Sequence, residues 1–477
     1  MKKIDWLIIF FIHEIQEYQV ECDTLKKIIS SVGPGKTNKI LILLDSINHS
    51  SSNIPKFSLG LFEIADICNH QNVFAFQELT NTGINFKAQG AWKDAFRFIF
   101  SKYGPIAKRK ILFTWSHGAG FGINTESSKI IRTNPNSNPD FIPVSNDKFS
   151  LEEVRSNFYF YLKDVGKKRP PQNSLKEIVS DNNITLYQKN EFKKSTPEIC
   201  KNLEVLLIDD LANLLNENSN GKIDILVMMN CNMQLFENGF ELRNSVTYYI
   251  AAESQMWAYG YDYFALLKLL NKKPKTKSKI VAKEAVSTFV KFHRQNNRQE
   301  YLKTTALFAN NLTYYSQAFI VVEKIMRIVI KNFEFIKNDL IIIRSQMQVV
   351  SQNALYELLD LGFFLKLISE RTKSKFGIAP LYNKYQKLNK KIRVAEHIGN
   401  VLIKNDIENT SLRFGHTGNS FFFPVNDHGH SDNKFAFCTY FSNVIDTKFE
   451  KLSSWDDLLK LFIATTKGDT NQHSEAP

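Results

Sequence analysis

The sequence predicts an α/β protein, an α/β/α sandwich around a mostly parallel central sheet with a helical and mixed C-terminal subdomain. Three observations predict it. Ile4 to Ile12 is apolar almost without a break, and Lys39 to Ile47 repeats the pattern, as strands do when helices cover both faces. Glu14 to Ser31 lies between them with apolar positions at helical spacing, and the order strand, helix, strand implies a right-handed parallel crossover. After about Leu270 the pattern changes to long helices.

The elements follow in order. The start MKKIDWLIIFFIHEIQEY has the outline of a signal peptide, but Asp5 interrupts it and His13-Glu14 stand where small residues belong, so it reads as a buried strand. Phe57 to Ile64 and Asn72 to Leu79 are shorter and more mixed, a hairpin or a sheet extension. Phe86 to Tyr103 is an amphipathic helix with Trp92, Phe96 and Phe100 on one face, and the strand Lys110 to Ser116 after it runs into His117-Gly118. Asn124 to Asn202, rich in Asn, Ser, Pro and Lys and carrying Lys167-Lys168-Arg169, reads as an insertion or long linker. A helix at Glu204 to Asn216, a turn at Asn220-Gly221 and the strand IDILVMMN then lead to Cys231. The late helices are placed at Lys279 to Arg294, Tyr314 to Asn332 and Gln346 to Ser369, before a mixed end containing SFFFPV at Ser420 to Val425. The expected division is 1–268, with 123–202 as insertion or activation linker, and 269–477.

Bulk properties exclude several classes. With 477 residues, 43% apolar and 13% aromatic, the chain can bury a sizeable core. The net charge of +13 is scattered, and no reader motif accompanies it, so a basic surface is expected and no specific nucleic-acid site. Five widely spaced cysteines form no CxxC or CxxH pair, which favours a reducing, cytoplasmic setting without a disulfide framework or zinc. No later stretch approaches the ~20 apolar residues that span a bilayer.

Two strands thus end in chemically capable residues, His117 and Cys231. In open α/β sheets chemistry collects beyond the carboxyl ends of the strands, which puts both at one edge. A thiol nucleophile needs a base and oxyanion donors. His117 is the candidate base. Gly118 and Gly120 leave its loop bare, and the amides of Gly118 and Cys231 are the candidate donors. A helix expected near Met233 turns its positive end toward the sulfur and lowers its pKa. His13, at another strand end but without a glycine loop, is the rival base. Against this stands the plain alternative that Cys231 is a small buried hydrophobe and SHGAG an ordinary turn.

At these loops the sequence resembles the clostripain family of cysteine peptidases, relatives of caspases, gingipains and legumain. The likeness runs through Trp6 to Ile12, Phe86 to Tyr103, ILFTWSHGAG, the insertion Asn124 to Asn202, LLIDDLANLL and IDILVMMNCNM. It continues through Glu237 to Asn244, TYYIAAES, Tyr259-Gly260-Tyr261-Asp262-Tyr263, Phe421 to Pro424, and Trp455 to Phe462. The resemblance implies a caspase-like fold and a cysteine endopeptidase with His117 and Cys231 as dyad and Gly118 in the oxyanion loop. It also implies maturation by cuts between the histidine and cysteine strands, within 123–202.

One position departs from the family pattern. Members that cleave after Arg or Lys carry an acid two residues before the cysteine, and here Met229 stands there, which points to an apolar or small P1 residue. Glu253 and Asp262 are the remaining acids in the segment expected to wall the pocket. No cofactor or metal is implied. Structural calcium, used by some members, finds no concentrated loop of acids here. The expected function is an intracellular protease acting on protein substrates in signalling or bacterial defence. Open alternatives are a catalytically idle interaction protein and a non-peptidase thiol hydrolase. Whether the C-terminal helices sense a partner effector protein or simply complete the core also stays open, with core completion favoured.

Overall fold

The computed structural model describes residues 3–14, 18–48, 56–65, 75–86, 91–116, 118, 122–124, 205–217, 222–254, 256–347, 350, 358–373, 375–399, 415–423 and 447–470. These fall into two compact units, one drawn from 1–128, 204–315 and 390–404, the other from 316–389 and 405–477.

The first unit is built on β1 (Ile4–His13), α1 (Gln19–Val32), β2 (Asn38–Asn48), β3 (Lys56–Ala65), β4 (Ala75–Glu78), α2 (Ala91–Lys102) and β5 (Ala107–Trp115). A small ribbon of β6 (Gly122–Asn124) and β7 (Val205–Leu207) comes next, then α3 (Ile208–Glu217), β8 (Ile223–Met229), α4 (Phe236–Leu242) and β9 (Val246–Ala252). It ends with α5 (Tyr263–Lys272), α6 (Ser278–Gln295), α7 (Gln299–Thr304), β10 (Ala306–Asn311) and, much later in the chain, β12 (Arg393–Ile398). Among the described residues the main sheet has nine strands in the order β12-β10-β9-β8-β5-β1-β2-β3-β4. The five central ones, β9-β8-β5-β1-β2, are parallel, and antiparallel strands extend both edges.

Every residue of β1 is buried, so the apolar start is the centre of a sheet. Side chains alternate between its faces. Trp6, Ile8, Phe10 and Ile12 join a core with α1, α5 and α6, through Leu25, Leu266, Leu270, Ala282 and Phe289. The opposite face meets α2, where Phe96 lies edge-on to Phe11 at 5.6 Å and stacks with Phe100 at 6.0 Å. The two helical layers and the parallel centre make the expected caspase-like α/β/α sandwich.

Several expectations shift. The sheet-bearing unit runs past residue 268, because β10 pairs with β9 and β12 with β10. Residues 56–65 and 75–78 do form an antiparallel sheet extension. The helix expected from Glu204 is preceded by β7 and starts at Ile208. The insertion lies outside the described residues, apart from Ile123 and Asn124 in β6.

The second unit takes α8 (Tyr315–Lys331) from Ser316 onward, with α9 (Phe333–Gln346), β11 (Leu358–Asp360), α10 (Leu361–Arg371), α11 (Ile378–Ile392, as far as Asn389), β13 (Ser420–Phe422), α12 (Lys448–Leu452) and α13 (Trp455–Thr470). The single helix expected over Gln346 to Ser369 is not formed. α9 ends at Gln346, β11 pairs with β13, and α10 starts afresh where the Asp360 carboxylate accepts from the Phe363 amide at 2.7 Å. A segment as rich in apolar residues as LYELLDLGFFLKLI hides that change of period. Phe421 and Trp455 meet edge-on at 4.6 Å, with Phe364, Phe423 and Phe462 around them, so the late aromatic residues close this unit's core.

Candidate active site

β5 and β8 run side by side until Trp115 stands opposite Met229. The next residues, Ser116 and Asn230, are both buried. There the Asn230 side chain joins the strands: its Oδ1 accepts from Thr114 Oγ1, and its Nδ2 donates to the Ser116 carbonyl at 2.9 Å. Two residues beyond Ser116, Gly118 lies against the backbone of Cys231, the residue after Asn230. A Cβ built on Gly118 would sit 2.1 Å from the Cys231 carbonyl oxygen and 2.6 Å from its nitrogen, so only glycine fits. Gly118 also bridges to Ile123. His117 and Gly120 lie outside the described residues. The neighbours of His117 on either side, Ser116 and Gly118, are both seated on Asn230-Cys231.

Cys231 is half-buried at the start of a turn in which Asn232 takes φ 58°, a left-handed conformation that asparagine tolerates. The end of β9 and the residues just after it hold that turn: the Asn232 amide donates to the Ser254 carbonyl and the Gln234 amide to the Ala252 carbonyl, each at 3.0 Å. The Met256 amide donates to the Cys231 sulfur at 3.3 Å, and the sulfur lies 3.5 Å from the Met256 carbonyl. Burial pushes the thiol pKa up, and the Met256 contact offsets this only in part. The expected helix-end effect is therefore corrected. α4 begins at Phe236, not near Met233, and is seven residues long, because the turn after Cys231 occupies the intervening chain. A thiol whose pKa is raised in this way needs a base nearby to act as a nucleophile.

The loop that touches the sulfur is pinned from several directions. Trp115 Nε1 donates to the Ala258 carbonyl at 3.2 Å, and Tyr261 Oη donates to the Met228 carbonyl at 3.1 Å. Buried His293, on α6, donates from Nε2 to the Gly260 carbonyl at 2.9 Å. Burial lowers the pKa of that imidazole to about 4, which keeps it neutral. Trp257 stacks on Tyr301 at 4.3 Å, and the Arg298 guanidinium lies 3.4 Å from the Tyr259 ring centroid.

The sequence-predicted site residues separate. Met229 is buried in the core with Trp115, and its Cγ presses on Gly260, where φ is 55° and a Cβ would meet it at 2.5 Å. Glu253 is fully buried, and its charge acts on Tyr315. Alternation puts it on the opposite side of the sheet from Met229, which shares a core with Ala252. Asp262 caps α5 by accepting from the Ala265 amide at 2.9 Å. His13, the rival base, binds Asp45 through Nδ1 at 2.9 Å. With β5 lying between β1 and β8, His13 is two strand spacings, about 9 to 10 Å, from the cysteine strand. Asn230 and Met256 were not singled out from the sequence, where one is a strand end and the other a residue in an aromatic-rich loop. Among the described residues no group of three or more His, Cys, Asp or Glu side chains is placed to hold a metal ion.

The comparisons to known proteins bear on the family and the fold. The clostripain family matches residues 183–462, more than half of the chain, a span that includes Cys231 but starts after His117. Two solved structures share the fold. An inactive zymogen C11 protease from Parabacteroides distasonis gives a TM-score of 0.54 at 12% identity, covering 94% of this chain and 98% of that one. The secreted C11 cysteine protease "iotapain" from Bacteroides thetaiotaomicron gives 0.53 at 11% identity, covering 94% and 99%. No curated protein matches. With the matched span carrying Cys231 and the fold shared along nearly the whole chain, the protein belongs to the clostripain family and is a cysteine-type peptidase.

Proposed function

We propose that the protein is an endopeptidase that cleaves protein substrates with Cys231 as nucleophile and His117 as acid and base. The observation that carries this reading is the seating of Ser116 and Gly118 on Asn230-Cys231, on both sides of His117. His117 takes the thiol proton, and the sulfur attacks the scissile carbonyl carbon. The amides of Gly118 and Cys231 hold the oxyanion. The C–N bond breaks as His117 returns the proton to the leaving amine, and a water deprotonated by His117 hydrolyses the thioester. No third acid is assigned.

The P1 residue is apolar or small. Met229 offers a thioether where a basic side chain needs a carboxylate, and of the two other acids Glu253 is buried toward Tyr315 while Asp262 caps α5. Maturation by a cut between the histidine and cysteine strands, within 123–202, is part of this reading, and the similar Parabacteroides protein is described as a zymogen. We also assign the protein to the cytoplasm, acting in signalling or defence. Support comes from its scattered cysteines, of which Cys22 and Cys231 are free among the described residues. The Bacteroides protein is described as secreted, so fractionation of the native host decides the location.

The test is digestion of an unbiased peptide library by the purified chain, by Cys231→Ala and by His117→Ala, read by mass spectrometry. Cuts after apolar or small residues, absent with both variants, are expected. Cuts that persist with Cys231→Ala overturn the nucleophile, and cuts confined to Lys or Arg overturn the specificity. In the same samples, a wild-type chain that splits within 123–202 beside an intact Cys231→Ala chain supports maturation.

A further inference from the structure

The backbone ladder between β5 and β8 ends at Trp115 and Met229, short of the two residues that matter. Among the described residues no ladder pair between the two strands follows that point. A side chain takes over there. Asn230 has one acceptor and one two-proton donor group. Thr114 Oγ1 engages the acceptor, and this fixes which way the amide faces. The donor then meets the Ser116 carbonyl at 2.9 Å. That carbonyl belongs to the peptide joining Ser116 to His117, so holding it fixes the plane from which the His117 backbone departs. Thr114, Ser116 and Asn230 are all buried, where such bonds hold their geometry without competition from water.

From this geometry we infer that Asn230 is a positioning residue, a clamp that sets the histidine loop at the distance and angle the Cys231 sulfur requires. It does not touch the substrate and acts through the Ser116–His117 peptide. Thr114 is its orienting partner. Asparagine suits this position because the side chain must accept from a hydroxyl on its own sheet face and donate to a carbonyl two residues further along the neighbouring strand. Aspartate has no donor for that carbonyl when ionised, and alanine has neither group. The inference rests on the proposed pairing of His117 with Cys231.

The test compares Thr114→Val, which keeps shape and removes only the orienting hydroxyl, with Asn230→Asp and His117→Ala in the full chain. The primary readout is the rate of Cys231 alkylation by iodoacetamide against pH, followed on the Cys231 peptide by mass spectrometry. It needs no substrate. Wild type is expected to alkylate with a midpoint at least about one pH unit below that of His117→Ala. Thr114→Val and Asn230→Asp should move toward the His117→Ala midpoint while circular dichroism and thermal unfolding stay cooperative. On a cleavable peptide both should lose about ten- to a hundredfold in kcat, with KM changed less than about threefold. Folded variants that keep the wild-type midpoint and kcat overturn the clamp. Coincident midpoints for wild type and His117→Ala overturn it as well, since no pairing is left to position. If the alkylation profiles shift as expected but no peptide is cut by any form, the clamp stands and the proposed endopeptidase function falls.

Discussion

The two faces of the sheet at its carboxyl edge differ sharply. On one, Ile12, Trp115, Met229 and Ala252 continue the apolar core that also takes in Met256 and Tyr261 of the loop that contacts the sulfur. On the other, Asp45, His13, Ser116, Asn230 and Glu253 form a buried polar row across five strands, with Cys231, the proposed nucleophile, directly after its fourth member. Met229 and Asn230 are consecutive, yet one serves packing and the other hydrogen bonding. Strand alternation alone separates the two roles, so neighbouring substitutions should fail for different reasons.

The largest expected effect breaks the chemistry without touching either face. Cys231→Ala should lower kcat/KM at least about a thousandfold with thermal stability unchanged, measured on the best library peptide. Next is the close approach of the loops. Gly118→Ala places a Cβ inside the Cys231 peptide, and backbone must move. Activity should drop by about a hundredfold or more, with a lowered unfolding midpoint in calorimetry.

The apolar face is probed by Met229→Asp. A carboxylate there is buried beside Gly260 and Trp115, so a loss of about 1–3 kcal/mol is expected in urea unfolding. If Met229 governs the P1 pocket, cuts after Lys and Arg should rise about tenfold relative to apolar ones. A destabilised enzyme with unchanged preference would leave Met229 a packing residue only. Gly260→Ala should cost about 1–3 kcal/mol, since φ is 55° and Met229 fills the space a Cβ needs.

The smallest effect is a pH dependence. Folding lowers the His293 pKa from 6.5 to about 4, so the unfolded chain binds the proton more readily. Stability from this group is therefore complete above about pH 6.5 and falls as the pH drops toward 4. His293→Gln should flatten that part of the melting-temperature profile, and an unchanged slope would mean other groups set it.

Much of this was legible in sequence. The apolar runs of β1, β5 and β8 marked central strands because burial on both faces leaves few polar positions. His117 and Cys231 stood out because each closes such a run. β10 and β12 were missed, since ALFANN and RVAEHI are short antiparallel strands next to strong helical patterns, with β12 at the sheet's edge. The break between α9 and α10 was missed because β11 needs its partner β13, about sixty residues later, to be a strand at all.

Local pattern by itself determined the parallel centre, the order of the elements, the candidacy of Cys231 as nucleophile and the absence of an acid at Met229. These arise from periodicity and residue type, which are properties of contiguous chain. The tertiary structure alone decided that Asn230 reaches the Ser116 carbonyl, that Gly118 must be glycine because it meets the Cys231 backbone, and that Glu253 turns away from Met229. It also decided that burial raises the Cys231 pKa. Each of these depends on which strand lies beside which and in what register, and on how much water the packing excludes. Neither is set by residues adjacent in the chain.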